Sequence, residues 1–170
     1  GIKGLMLSCI LSDTLEFRSP TTTEVDRRIA QMLARELNVD IPSYAAEMFA
    51  AKSDVSAFSD AELLRMDSKE YNVDGVEMRV SVLETTSPGT VLARKASLMA
   101  AMDGVAKEDG ADQVLLFVVD ILKEEATLLV PNDLTRQIAE KSFGAKVSGD
   151  TVVLPGIMSR KKQIIPALKL

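Results

Sequence analysis

The chain runs to 170 residues, 46% hydrophobic and 26% charged, with a net charge of −5 and an isoelectric point near 4.9. That composition suits one globular domain, or one domain with part of another, and is too apolar for a disordered chain. It holds no histidine and a single cysteine, Cys9, which rules out a Ser-His-Asp triad, a Cys-His pair, a histidine metal site and an internal disulfide within these residues. Two tyrosines, five phenylalanines and no tryptophan on an acidic chain make a poor nucleic-acid surface. There is no Walker-type phosphate loop and no GxGxxG. No apolar run approaches the roughly 18 residues of a membrane span, and the first residues lack the basic-then-apolar layout of a signal peptide.

In chain order, Ile2, Leu5, Met6, Cys9 and Ile10 recur at helical spacing and predict a first helix over Ile2–Thr14. Cys9 then lies on its buried face as a small hydrophobe, which suits a reducing, cytoplasmic setting. An apolar-faced helix opening at Gly1, with no initiator Met, leads us to expect the C-terminal piece of a longer protein. Pro20 ends this region, because it disfavours helix at Ser19. Thr21 and Glu24 form a capping-box pattern for a second helix with the stripe Val25, Ile29, Met32, Leu33 and Leu37. Asn38–Ser43 reads as a linker, Tyr44–Ala51 as a short helix, and Ser59 with Glu62 as the box opening a helix to about Met66. Lys69–Val73, Asp74-Gly75 and Val76–Glu84 predict a β-hairpin with a tight turn.

A long helix is expected over Gly89–Lys107. Gln113–Asp120 is almost continuously apolar and predicts a central strand covered on both faces, with Ala126–Val130 as its neighbour. Asn132 caps a helix through Phe143, stopped by Gly144. Asp150–Leu154 is the last strand, broken by Pro155-Gly156. The fold class is therefore α/β: a mixed β-sheet flanked by helices, preceded by two helices and a linker.

Three places could carry chemistry. Asp13 continues the first helix's apolar stripe, where an unpaired carboxylate is costly; it is either a metal ligand or, more simply, a helix-end cap. Ser159-Arg160-Lys161-Lys162-Gln163 lies between the apolar segments Leu154–Met158 and Ile164–Pro166. Such a run is often a solvated face, yet cations crowded at a partly buried place favour a bound anion. In a regular strand Arg160 and Lys161 would face opposite ways, so sharing one ligand needs a loop or bend. Lys69, in Asp67-Ser68-Lys69-Glu70-Tyr71, reads by default as an exposed strand-edge lysine.

Together, Leu7–Leu15 with its Ser12-Asp13-Thr14, Phe17–Thr21, Asp67-Ser68-Lys69 and Pro155–Gln163 resemble, in order and spacing, the manganese-dependent (family II) inorganic pyrophosphatases of the DHH phosphoesterase superfamily. The Ser-Arg-Lys-Lys-Gln run carries most of the resemblance. It implies a two-domain hydrolase that splits pyrophosphate into two phosphates. Mn²⁺ or Co²⁺ would sit in the N-terminal domain, and Mg²⁺ would arrive with the substrate. Asp13 would be one metal ligand. Lys69, Ser159, Arg160 and Lys161 would bind substrate, with Arg160 and Lys161 supporting catalysis. Residues 1–40 would be the tail of the metal domain and 43–170 the DHH-associated substrate domain, hinged near Asn38–Ser43. The implied partners are pyrophosphate, the missing metal domain and a second copy of the chain, with no nucleic acid and no membrane.

The Asp-His-His motif and every metal-binding histidine of that family are missing here. The chain alone is therefore expected to be inactive. An exopolyphosphatase of the same superfamily, or a non-catalytic phosphoanhydride-binding module, stays open beside the main reading. So does the presence of regulatory CBS domains elsewhere in the protein.

Overall fold

The computed structural model describes residues 1–170, which fall into two compact units, Gly1–Asp54 and Val55–Leu170. The first holds α1 (Ile2–Thr14), α2 (Glu24–Leu37) and α3 (Ile41–Lys52). Helix α1 spans the predicted residues but buries the opposite face. Leu7, Leu11 and Thr14 are inside, whereas Ile2 is 78% and Leu5 67% exposed, and Met6 and Cys9 are exposed as well. Cys9 is thus no core hydrophobe, and Asp13 does not lie on a buried face. The physical reason is that α1 is apolar nearly all round, so periodicity alone cannot choose a face. Contacts from α3 choose it: the Ser8 and Tyr44 hydroxyls are 2.7 Å apart, and Tyr44 donates to the Gly4 carbonyl at 3.3 Å.

The link from α1 to α2 is a left-handed turn of three successive non-glycine residues, Leu15, Glu16 and Phe17, with φ of 49°, 51° and 67°. Each such residue costs about 1–2 kcal/mol, so the turn needs external support. The Ser19 amide donates to the Thr14 carbonyl at 2.9 Å, and the Arg27 guanidinium lies 5.0 Å from the centre of the Phe17 ring. Helix α2 opens two residues later than predicted. Thr23 and Asp26 form its capping box, with the Thr23 amide donating to Asp26 at 2.8 Å, because the Thr21 hydroxyl is already bonded to Ser19 at 2.8 Å. Its buried residues are Ala30, Leu33 and Ala34, while Val25 and Met32 are exposed. Helix α3 starts at Ile41, ahead of the predicted Tyr44, since Asp40 accepts the Ser43 amide and Pro42 fits the first turn.

The second unit is built on a five-stranded sheet whose spatial order follows the chain: β1 (Ser68–Val73), β2 (Val76–Thr85), β3 (Gln113–Asp120), β4 (Glu125–Leu129) and β5 (Thr151–Pro155). Only β2 and β3 pair in parallel, so a helical crossover has to join them. That crossover is α5 (Pro88–Leu92) and α6 (Lys95–Asp109), preceded by α4 (Asp60–Met66), which opens on the expected Ser59–Glu62 box. The single long helix expected there is broken because Arg94 turns away to donate to the Phe58 carbonyl at 2.9 Å and Asp60 at 2.7 Å.

Strand β3 is buried along its whole length, as its apolar sequence requires. Its Val114, Leu116 and Val118 pack with Leu98 and Met102 of α6 and Leu63 and Leu64 of α4. On the other side Phe117 meets Phe143 of α7 (Asp133–Phe143) edge to face, with centroids 6.0 Å apart. After β5, Gly156 takes φ 76° and redirects the chain into a π-helical turn, Arg160–Ile164, then a 3-10 turn, Ile165–Ala167. The last residues reach both ends of β1: Arg160 donates to Asp67 just before the strand, and the Leu170 amide donates to Asp74 at the hairpin turn. No helix is long and apolar enough to cross a membrane.

Candidate functional site

The basic run is held at both ends, as its flanking apolar residues predict: Met158 and Ile164 are buried. Between them the backbone winds into the π turn, where Gln163 and Ile164 amides both donate to the Ser159 carbonyl at 3.0 Å. Widened turns of this kind recur at functional sites. Two side chains lock it. The Ser159 hydroxyl accepts the Lys162 amide at 3.2 Å. Gln163 accepts the Met158 and Ser159 amides through one oxygen, each at 2.9 Å, and donates to the Gly156 carbonyl at 2.8 Å.

Gln163 is therefore the clamp of this turn, a role that sequence reading did not give it. Only its place within the basic motif hinted at one. Gln163→Ala strands two amides of buried residues and is expected to lower stability by about 1–3 kcal/mol in urea unfolding. Unchanged stability would show that the turn holds itself.

The turn places Arg160 and Lys161 on one bend, meeting the geometric condition that a strand could not. Arg160 reaches across 93 residues of sequence, donating to the Asp67 carbonyl at 2.8 Å and pairing with the Asp67 carboxylate at 2.9 Å. Lys69 follows two residues later on edge strand β1, about 7 Å along the chain. It lies in register with Val80 and is exposed. Lys161 is exposed next to Arg160. Arg160 thus comes to the start of β1, two residues from Lys69, and Ser159 anchors the turn that carries Arg160 and Lys161. Asp13 lies in the other unit, exposed at the last turn of α1. An open groove of about 690 Å³ at the α2–α3 corner, bordered by Arg35, Asn38 and Asp40, contains none of these residues.

Behind β1 lies a charged cluster that the sequence did not reveal. Asp109, at the end of α6, takes two nitrogens of Arg65 at 3.0 Å, and its carboxylate also lies 2.8 Å from Arg79 Nε. Arg79 in turn donates to the Ser68 hydroxyl at 2.7 Å and pairs with Glu70. Hydrogen bonds from Arg65 and the charge of Arg79 hold the Asp109 carboxyl below the usual carboxylate range, against the opposing effect of burial. The Asp109 carboxylate, and after it Glu108, push the Arg65 guanidinium upward through their hydrogen bonds. The first residues of β1 are fixed from this side.

The chain matches the DHHA2 domain family over residues 46–170. It is 46% identical over 170 residues to a Deinococcus radiodurans protein named "Probable manganese-dependent inorganic pyrophosphatase", covering 97% of this chain and 54% of that one. It is 34% identical over 169 residues to the "Manganese-dependent inorganic pyrophosphatase" of Methanocaldococcus jannaschii, covering 99% and 54%. The crystal structure of a Methanococcus jannaschii protein named "putative family II inorganic pyrophosphatase" superposes with a TM-score of 0.84 at 34% identity, covering 98% of this chain and 53% of that one. The chain spans about half the length of the curated relatives it matches. The α/β architecture, the shared helices and strands and the match over most of its length lead to one conclusion: the chain belongs to the DHHA2 domain family.

Proposed function

We propose that the chain is the substrate-gripping part of a manganese-dependent inorganic pyrophosphatase, with Lys69, Arg160 and Lys161 as its pyrophosphate-binding cations. The observation that carries this reading is the arrival of Arg160 at Asp67, two residues from Lys69, from the far end of the chain. Pyrophosphate bears several negative charges that repel a nucleophile and that concentrate on the leaving phosphate as the bond breaks. Cations fixed before the reaction offset both at no cost in reorganisation. A guanidinium engages two phosphate oxygens at once, and ammonium groups add point charge. Ser159 serves the same site by holding the turn.

The names of the relatives include manganese. No group of three acidic or cysteine side chains in this chain could hold a metal ion, so a metal centre does not fit within these residues alone. Asp13 would supply one ligand to a centre completed elsewhere in the protein. The exposed apolar side of α1, with Ile2, Leu5, Met6 and Cys9, would be covered by that remaining part, since so much apolar surface on one helix seldom stays in water.

The missing ligand cluster also favours a second reading of the chain by itself, namely phosphoanhydride binding without hydrolysis. Calorimetry with pyrophosphate and assays of phosphate release test both. The chain joined to the remaining half of its Deinococcus radiodurans relative and loaded with Mn²⁺ should hydrolyse pyrophosphate in preference to tripolyphosphate, and the chain alone should hydrolyse neither. A joined, folded protein that binds pyrophosphate without turnover would favour the binding module, and preference for tripolyphosphate would favour an exopolyphosphatase.

A further inference from the structure

Asp67 stands beside the proposed anion site. By charge alone it is unfavourable there, because its carboxylate repels pyrophosphate. Its geometry supplies a reason for its presence. One terminal nitrogen of Arg160 is held twice by this residue, at 2.8 Å by the main-chain oxygen and at 2.9 Å by the carboxylate. The Arg160 side chain is only 16% exposed, whereas that of Asp67 is 55% exposed.

A guanidinium carries five N–H donors in one rigid plane. Fixing one nitrogen fixes the plane, and the edge formed by Nε and the second terminal nitrogen is left for a forked contact with two phosphate oxygens. The anchor itself is rigid. The Asp67 carbonyl also accepts the Val82 amide of β2 at 2.9 Å. The adjoining Ser68 hydroxyl donates to the Arg65 carbonyl at 3.1 Å and accepts from Arg79.

We propose that Asp67 is a positioning residue that holds one edge of Arg160 so that the other edge is presented to a pyrophosphate anion. This rests on the reading of Arg160 as a substrate-binding cation. Were Asp67 instead a competitor that occupies Arg160 when no ligand is bound, removing it would tighten binding, so the two roles predict opposite signs.

The test is an NMR titration of the 170-residue chain with inorganic pyrophosphate, following amide shifts of the Ser159–Gln163 turn. Asp67→Ala is expected to raise Kd about tenfold, the weight of one charge-assisted contact held in place. Asp67→Asn keeps an oxygen acceptor and should recover part of the loss. In an Arg160→Met background, Asp67→Ala should cost nothing more, since the two act as one unit. A merely structural role would give the same loss in both backgrounds, and that result overturns the proposal. Unchanged or tighter binding by Asp67→Ala, with Arg160→Met still weak, overturns it while sparing the reading of Arg160. Unchanged binding by Arg160→Met, or no response of the unaltered chain to pyrophosphate, rejects that reading and the inference together.

Discussion

Lys161→Ala is expected to lower kcat/KM for pyrophosphate about 100-fold in the complete, manganese-loaded protein, a loss of about 3 kcal/mol in transition-state stabilisation. The lysine is exposed on the π turn, and the bonds that hold the turn come from Ser159 and Gln163. Its removal should therefore leave the unfolding midpoint nearly unchanged. The effect should appear chiefly in kcat, because the charge on the leaving phosphate grows as the bond breaks. Arg160→Lys should be as harmful as truncation, since an ammonium cannot hold Asp67 and fork onto a phosphate at once. Lys123→Ala, on the exposed turn after β3, is the matching control and should alter kcat/KM by less than about twofold. A Lys161→Ala enzyme equally close to the parent would remove Lys161 from the site.

What could be read from the sequence follows from how local each signal is. Strand β3 was legible because eight successive buried residues leave no other placement. The hairpin was legible because Asp74 and Gly75 take positive φ, as that dipeptide favours. The capping boxes illustrate the limit. Ser59 and Glu62 obey the rule, but before α2 two threonines compete, and the bond from Thr21 to Ser19 decides against it. On α1 the contrast between faces is too weak to read, and Tyr44, 36 residues from Ser8, settles the orientation. The break between α5 and α6 depends likewise on Arg94 reaching Asp60. At the candidate site, spacing said that Arg160 and Lys161 needed a bend, but not that the bend would be a π turn clamped by Gln163. Family resemblance implied a common site for Lys69 and Arg160, but nothing in the sequence pointed to the contact of Arg160 with Asp67. The Arg65–Asp109–Arg79 cluster had no sequence signal at all, since each member reads as an ordinary surface charge.

That cluster yields the second large effect. A carboxylate at a helix C-terminus is opposed by the helix dipole, so Asp109 is held at the end of α6 by its two arginines. Its side chain is 16% exposed and that of Arg79 14%. Removing one member of a buried ion pair costs about 3–5 kcal/mol. Water still reaches this cluster, and Glu70 and Glu108 remain beside the arginines, so Asp109→Asn is expected to cost about 2 kcal/mol at neutral pH. The sign of the pH dependence follows from the depressed carboxyl. A group whose folded pKa lies below its unfolded value contributes fully above the unfolded value, about 3.9, and loses that contribution as pH falls toward the folded one. Urea unfolding of the parent should therefore show stability falling below about pH 4, and the Asp109→Asn curve should be flatter there, so that the two converge in acid. Curves that stay parallel would mean that Asp109 carries no linked proton. Because Arg79 also holds Ser68, the same substitution should weaken pyrophosphate binding if Lys69 and Arg160 form the proposed site, joining the stability of the sheet edge to the proposed grip.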